Sequence, residues 1–223
     1  MLRVSVFGLG YVGTVSAACL AESGHEVVGV DPNPTKVNLI NEGATPVIEE
    51  DLGALVKGNV ETGRLRATGD EREAIDNSDL SLVCVGTPGK RNGSLDLQYV
   101  ERVCQQIGAA LADHADFHVA VIRGTILPGT MRRVVTPTLE SVSGKRAGEG
   151  FGVCNKPEFM REGTTVHDYH NPPKTAIGAT DAKSGDMLAI LYEGLDVRTS
   201  HTPAICATTS GGNSRKVVKC MAS

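Results

Sequence analysis

The sequence predicts an α/β fold, a doubly wound and mainly parallel sheet with helices on both faces. Three observations point there. Short apolar runs of strand length at residues 4–7, 26–30, 80–85 and 117–122 alternate with segments of helical spacing, the pattern of βαβ units. The first run feeds Gly8-Leu9-Gly10-Tyr11-Val12-Gly13, which opens a small-residue helix reaching Ser23. The second run ends on a carboxylate, Asp31. Strand, glycine turn, helix, strand and acid in that register form a dinucleotide-binding, Rossmann-type unit.

Each residue of this unit has a physical task. Gly8 permits the tight turn, Gly10 lets a pyrophosphate approach the backbone, and Gly13 lets the helix pack close to the strand. The helix N-terminus then turns its N–H groups toward the phosphates. Asp31 can accept hydrogen bonds from a ribose diol and would repel a 2′-phosphate. Pro32 and Asn33 follow it rather than an arginine, so the expected cofactor is NAD, not NADP. Two plainer readings compete: a glycine turn in some other α/β protein, and a signal peptide, since residues 2–20 are largely apolar and end in small residues. Three glycines in six residues, only Arg3 as a basic flank, and the matching second strand argue against the signal peptide.

The remaining elements follow in order. Pro34 suits a first helical turn, with a short helix continuing over residues 35–42. Lys36 falls near the adenosine end of a bound cofactor, as a ribose or phosphate contact or as a solvated lysine; spacing alone leaves both open. Residues 48–61 carry Ile48, Leu52, Leu55 and Val56 at helical spacing. A strand at 65–68 and a helix at 70–75 come next. The run 80–85 is apolar throughout, as in a parallel strand buried on both faces, and ends in Gly86-Thr87-Pro88. Ligands of open α/β sheets bind at the carboxyl ends of strands, which makes Thr87 a cofactor candidate rather than an ordinary loop threonine. After the basic turn 90–93, Asp96 caps a helix over 97–112. The strand 117–122 ends in Arg123-Gly124-Thr125, a second hydroxyl at a strand end, and Thr130 begins another helix. A strand at 151–155 precedes Lys156-Pro157-Glu158-Phe159-Met160-Arg161-Glu162. Glu158 and Glu162 are spaced to share one face of a helical turn, as a general base near substrate or as solvated helix charges. A strand at 174–178 and a helix at 182–193 complete the pattern. Beyond residue 199 no period survives, and an irregular tail is expected over 200–223.

Composition narrows the function classes. The 223 residues suffice for one large domain or one domain and part of another, and a 40% apolar share permits a sizeable core. A net charge of −4 and the absence of tryptophan give no support for nucleic-acid binding. No apolar run reaches membrane-spanning length. Cys19, Cys84, Cys104, Cys154, Cys206 and Cys220 form no C-x-x-C pair and no zinc spacing, so no metal site is expected. Reduced, buried thiols fit a cytoplasmic protein.

With Gly8–Gly13, V-G-Thr87-P, the Thr125-x-x-P-G-T loop and P-Glu158-F in this order, residues 1–199 resemble the nucleotide-sugar 6-dehydrogenases, the UDP-glucose/GDP-mannose dehydrogenase family. The segments K-R-N-G-S-L-D-L and S-G-K-R-A-G-E-G-F-G-V look more like the GDP-mannose branch, which makes GDP-mannuronate for alginate-type polysaccharides. The resemblance implies oxidation of a sugar C6 alcohol to a carboxylate with two NAD⁺, the second step passing through a cysteine thiohemiacetal and thioester. It implies NAD contacts for Tyr11, Val12, Asp31, Lys36, Thr87 and Thr125. It also implies water chemistry for Thr125 and Glu158, and contact with the nucleotide sugar for Glu158 and Glu162. Lys156 departs from the pattern, which has Asn immediately before Pro-Glu-Phe.

A larger departure lies further on. The family's central helix with its Lys and Asn, its G-G-x-C-x-x-K-D loop and its second α/β domain do not appear in these 223 residues. Gly211-Gly212-Asn213-Ser214 echoes the loop with Ser where Cys belongs, and neither Cys206 nor Cys220 has a matching context. The expectation is therefore a catalytically incomplete NAD-binding portion, with no family-like homodimer and with core surface exposed to aggregation. A 3-hydroxyacid-type oxidoreductase and a methyltransferase are the remaining alternatives, and the latter does not use the Thr87 and Thr125 loops.

Overall fold

The computed structural model describes residues 1–91, 93–173, 175–193, 198–203 and 216–221, with side chains described up to residue 193. The first six strands are β1 (Arg3–Phe7), β2 (Glu26–Val30), β3 (Leu65–Thr68), β4 (Leu80–Val83), β5 (His118–Ile122) and β6 (Phe151–Asn155). They are mutually parallel in the order β3-β2-β1-β4-β5-β6, the Rossmann order, with the winding reversed between β1 and β4. β7 (Thr175–Ala179) adds antiparallel to β6.

Helices cover both faces, as parallel strands buried on both sides require. One face carries α1 (Tyr11–Glu22), α3 (Leu52–Glu61), α7 (Thr165–His170) and α8 (Ala182–Ile190). The other carries α4 (Glu71–Asp76), α5 (Gln98–Asp113) and α6 (Thr136–Ser143). α2 (Pro34–Asn41) follows β2, with Pro34 in its first turn and the Asn33 side chain accepting from the Thr35 amide at 3.0 Å. Alternation along each strand divides the two cores. Val4, Val6, Leu80, Leu82, Val119 and Val121 point to the first face; Phe7, Val83, Ala120 and Ile122 point to the second. Burying each large aliphatic side chain is worth about 1.5–3 kcal/mol.

Most expected elements appear within two or three residues of their predicted bounds, and α7 was not foreseen. Four differ further. Ile48 is 92% exposed and lies outside α3, which starts only at Leu52, because the segment before it is held by loop contacts: Glu49 accepts from the Gly163 and Thr165 amides. Asp96 does not cap α5 in the usual place; Leu97 is the N-cap residue, and Asp96 Oδ1 accepts from the Gln98 amide. The helix after Thr130 opens with a π-helical turn, Met131–Val135, two residues ahead of Pro137, which cannot donate a backbone hydrogen bond. The tail also departs from expectation. Backbone strands β8 (Arg198–Pro203) and β9 (Lys216–Met221) extend the sheet parallel to β7, in the order β7-β9-β8. The exposed edge of β7 supplies unpaired backbone groups that such a segment satisfies. Gly211–Ser214 and Cys206 lie outside the described residues. Among the described residues no helix is long and apolar enough to cross a membrane.

Candidate functional site

The reversal between β1 and β4 opens a crevice at the carboxyl ends of the strands, and the glycine turn lines it. Gly8 has φ +94°, in the left-handed region, and its amide donates to the Val30 carbonyl at 2.8 Å, tying the turn to β2. A Cβ at Gly13 would stand 1.8 Å from the Gly8 carbonyl oxygen, so α1 can approach the turn only with glycine there. A Cβ at Gly10 would meet nothing within 4 Å. That open space lies at the start of α1, where no side chain caps the first-turn amides. Tyr11 and Val12, half-buried, complete this N-terminus. An uncapped helix end beside an open backbone position is a cradle for a diphosphate.

Asp31 faces the same corner. Its carboxylate is 5% exposed and accepts from the Leu9 amide at 2.9 Å, the Asn33 amide at 3.0 Å and Lys36 Nζ at 3.0 Å. Lys36 is thus not free; it is ion-paired to the acid with its side chain 34% exposed. Thr87 Oγ1 donates to the Thr125 carbonyl at 3.2 Å, which joins the loops after β4 and β5 across the crevice. Thr87 is half-buried and Thr125 exposed. Turn, acid and both threonine loops therefore converge on one edge of the sheet, and these residues fit a dinucleotide.

Glu158 and Glu162 differ from expectation. Residues 156–161 form no helical turn, since Pro157 interrupts it, so the two carboxylates do not share a helix face. Glu158 is half-buried and accepts from the Met160 amide at 2.9 Å; Glu162 is exposed.

Sequence reasoning overlooked what lies beside Glu158. Arg123 ends β5, is 3% exposed, and makes no carboxylate contact among the described residues. Its Nε donates to Ser16 Oγ on α1 at 2.8 Å, Nη1 to the Tyr192 hydroxyl at 3.4 Å and Nη2 to Met160 Sδ at 3.8 Å. Its guanidinium lies 5.6 Å from the Tyr169 ring centroid. Lys156 is 6% exposed, with Nζ 4.4 Å from the Tyr192 ring centroid. Burial, reinforced by the charge of Arg123, holds its pKa well below the ordinary lysine value. Arg123, Lys156, Glu158, Tyr169, Thr175 and Tyr192 all line one cavity of about 20 Å³. At its rim Arg161 grips Asp168 through both Nε and Nη2, at 3.0 and 2.9 Å, and holds that carboxyl well below its usual range. The available signal was a cation ending an otherwise apolar strand. The described thiols offer no nucleophile here: Cys19, Cys84, Cys104 and Cys154 are buried, and burial pushes the first three up to about 12. Among the described residues no His/Cys/Asp/Glu cluster could hold a metal ion.

Comparison with known proteins agrees with this architecture. The profile of the UDP-glucose/GDP-mannose dehydrogenase family, NAD binding domain, matches residues 2–196. A GDP-mannose 6-dehydrogenase of Pseudomonas putida is 52% identical over 202 residues, 91% of this chain and 46% of the relative. A UDP-glucose 6-dehydrogenase of Haloferax volcanii is 38% identical over 204 residues, 92% of this chain and 47% of the relative. The crystal structure of a ternary complex of GDP-mannose dehydrogenase from Pseudomonas aeruginosa superposes with TM-score 0.89 at 45% identity, covering 99% of this chain and 46% of that one. The chain thus spans a little under half the length of the curated relatives it matches. With its glycine corner, its buried acid and its strand order, it belongs to the UDP-glucose/GDP-mannose dehydrogenase family, of which it carries the NAD-binding domain.

Proposed function

We propose that these residues form the NAD-binding half of a nucleotide-sugar 6-dehydrogenase that oxidises GDP-mannose to GDP-mannuronate, with UDP-glucose as the alternative substrate. The observation that carries the reading is the corner itself, where the Asp31 carboxylate lies 2.9 Å from the Leu9 amide beside the open Gly10 position. In this reading Gly8, Gly10, Tyr11, Val12 and Gly13 hold the diphosphate. Asp31, steadied by Lys36, takes the adenosine ribose. Thr87 and Thr125 bound the nicotinamide end. NAD⁺, when bound, supplies the hydride acceptor. Glu158 is the base that takes a proton at the sugar end, with Thr125 orienting water, and Glu162 contacts the nucleotide sugar. Cytoplasmic placement accords with the reduced, buried thiols.

A second reading is that these residues bind NAD without turnover. It is favoured by the buried state of the described thiols, since the aldehyde-to-acid step of the family uses a cysteine nucleophile. Calorimetric titration with NAD⁺ tests the shared premise: saturable one-to-one binding is expected, and its absence removes both readings. Adding GDP-mannose separates them. Appearance of NADH absorbance selects the enzyme, and a flat trace under saturating NAD⁺ selects the binding module.

A further inference from the structure

We propose that the cavity lined by Arg123, Lys156, Tyr169 and Thr175 is a binding site for a small monovalent anion of halide size. Four buried polar groups converge there and lack what a protein interior demands. Arg123 has five N–H donors, and three find partners, none of them anionic. Lys156 has its ammonium over the Tyr192 ring and no hydrogen-bond acceptor among the described residues. The Tyr169 hydroxyl and Thr175 Oγ1, in residues 4% and 2% exposed, are buried without a hydrogen-bond partner among the described residues. Each such orphan costs on the order of 1–3 kcal/mol, so two on one small cavity signal a missing occupant.

The size and charge of the cavity define that occupant. About 20 Å³ accommodates one water-sized particle and nothing much larger. A water would satisfy the two hydroxyls but would leave the Arg123 guanidinium, and Lys156 whenever it is protonated, with Glu158 as the one lining carboxylate without a cation partner. Asp168 is already committed to Arg161. A monovalent anion accepts from the hydroxyls, the ammonium and the spare guanidinium N–H groups together, and it balances the charge. Burial and the proximity of Arg123, which weaken the hold of Lys156 on its proton, are both countered by such an anion, while Glu158 acts in the same sense from the cavity wall. An entry path exists, because Phe159 is 39% exposed and Glu158, Met160 and Pro172 are half-buried. The lysine behind this charge excess is also the residue that departs from the family's Asn before Pro-Glu-Phe. The inference stands apart from cofactor binding, since none of these residues belongs to the glycine corner.

The test is a bromide titration of the full chain, followed by thermal unfolding with sodium gluconate as the ionic-strength control. Bromide and chloride are expected to raise the midpoint by roughly 3 °C over gluconate, which is too large for the cavity. In bromide-soaked crystals an anomalous peak is expected within hydrogen-bonding distance of Lys156 Nζ and the Tyr169 hydroxyl. In Lys156→Met both effects should vanish while calorimetric NAD⁺ binding persists. If that variant does not fold, the wild-type crystals and the anion series still decide. Equal midpoints in bromide and gluconate, or a cavity without an anomalous peak, overturn the proposal and leave water as the occupant.

Discussion

At the scale of single residues, the glycine corner separates two demands that a motif merges. Gly13 is required by the fold: a Cβ there would sit 1.8 Å from the Gly8 carbonyl oxygen, and neither backbone can yield cheaply. Gly13→Ala is expected to lower the unfolding free energy by about 3 kcal/mol or more, as read by urea denaturation. Gly10, on the proposed reading, is required by the ligand. Its Cβ would meet no protein atom within 4 Å, and its φ of −92° suits any residue. Gly10→Ala should change stability by less than about 1 kcal/mol, because only the N-cap preference is lost. It should nevertheless weaken NAD⁺ by about tenfold or more, because the methyl group takes the space of a phosphate. A Gly10→Ala protein that binds NAD⁺ like the wild type would move the diphosphate elsewhere. Asp31→Ala should cost about 1–3 kcal/mol of NAD⁺ affinity through lost charge-assisted hydrogen bonds. Calorimetry at matched folded fraction checks it, since the same carboxylate also anchors the Leu9 and Asn33 amides.

At the scale of elements, a polar seam crosses the base of the sheet. Ser5 on β1 and Ser81 on β4 share a hydrogen bond of 2.7 Å, and Ser78 Oγ donates to Ser5 at 3.0 Å. His118 on β5 closes the seam, with Nε2 2.7 Å from Ser81 Oγ and Nδ1 3.0 Å from the Ser78 carbonyl oxygen. The imidazole is therefore neutral, with Nδ1 donating and Nε2 accepting. Burial pushes its pKa down to about 4, against an unfolded value near 6.5. A group with a depressed histidine pKa stabilises the native state fully above the unfolded pKa. That stability declines as the pH falls from about 6.5 toward 4, by about 3 kcal/mol in total. His25, also lowered by burial, titrates with the same sign. Urea unfolding between neutral pH and the acid limit should show this slope. His118→Gln should flatten it, and an unchanged slope would exclude the seam as its source.

The same elements show which parts of the fold the sequence could reveal. Strand β4 was legible because L-S-L-V is apolar on both faces, and β3 because turn residues bound it on each side. The placement of Asp31, Thr87 and Thr125 at the carboxyl edge of the sheet was legible because each follows an apolar run of strand length. The cavity was not. Its walls come from the residue after β5, from α7, β7, the turn after α8 and the segment after β6, so no local spacing links Arg123 to Tyr192 or Thr175. Ile48 misled because its position in a helical period says nothing of the Glu49 contacts that hold the chain out of a helix. The tail misled because an irregular sequence can still pair its backbone with a free sheet edge.

At the scale of the whole molecule, the proposed NAD site would join the two halves of the sheet. One half contributes β1, β2 and α1. The other contributes the loops after β4 and β5, tied together by the Thr87 hydrogen bond to Thr125 and tied to α1 by Arg123 and Ser16. A ligand that contacts both halves binds the native state only, so it must raise the unfolding temperature by mass action. At a hundredfold excess over its dissociation constant NAD⁺ contributes about 2.7 kcal/mol, or roughly 5–10 °C for a domain of this size. NADP⁺ should do much less. Its 2′-phosphate would approach the buried Asp31 carboxylate, and the one basic side chain at that acid, Lys36, is already engaged by it at 3.0 Å among the described residues. The midpoint shift with NADP⁺ should therefore fall short of the NAD⁺ shift at equal concentration, by an amount equivalent to about tenfold or more in affinity. Asp31→Asn should narrow that gap by relieving the repulsion. Equal shifts for the two cofactors in the wild-type chain would mean that the carboxylate does not face the ribose, and the reading of the corner as an NAD site would have to be abandoned.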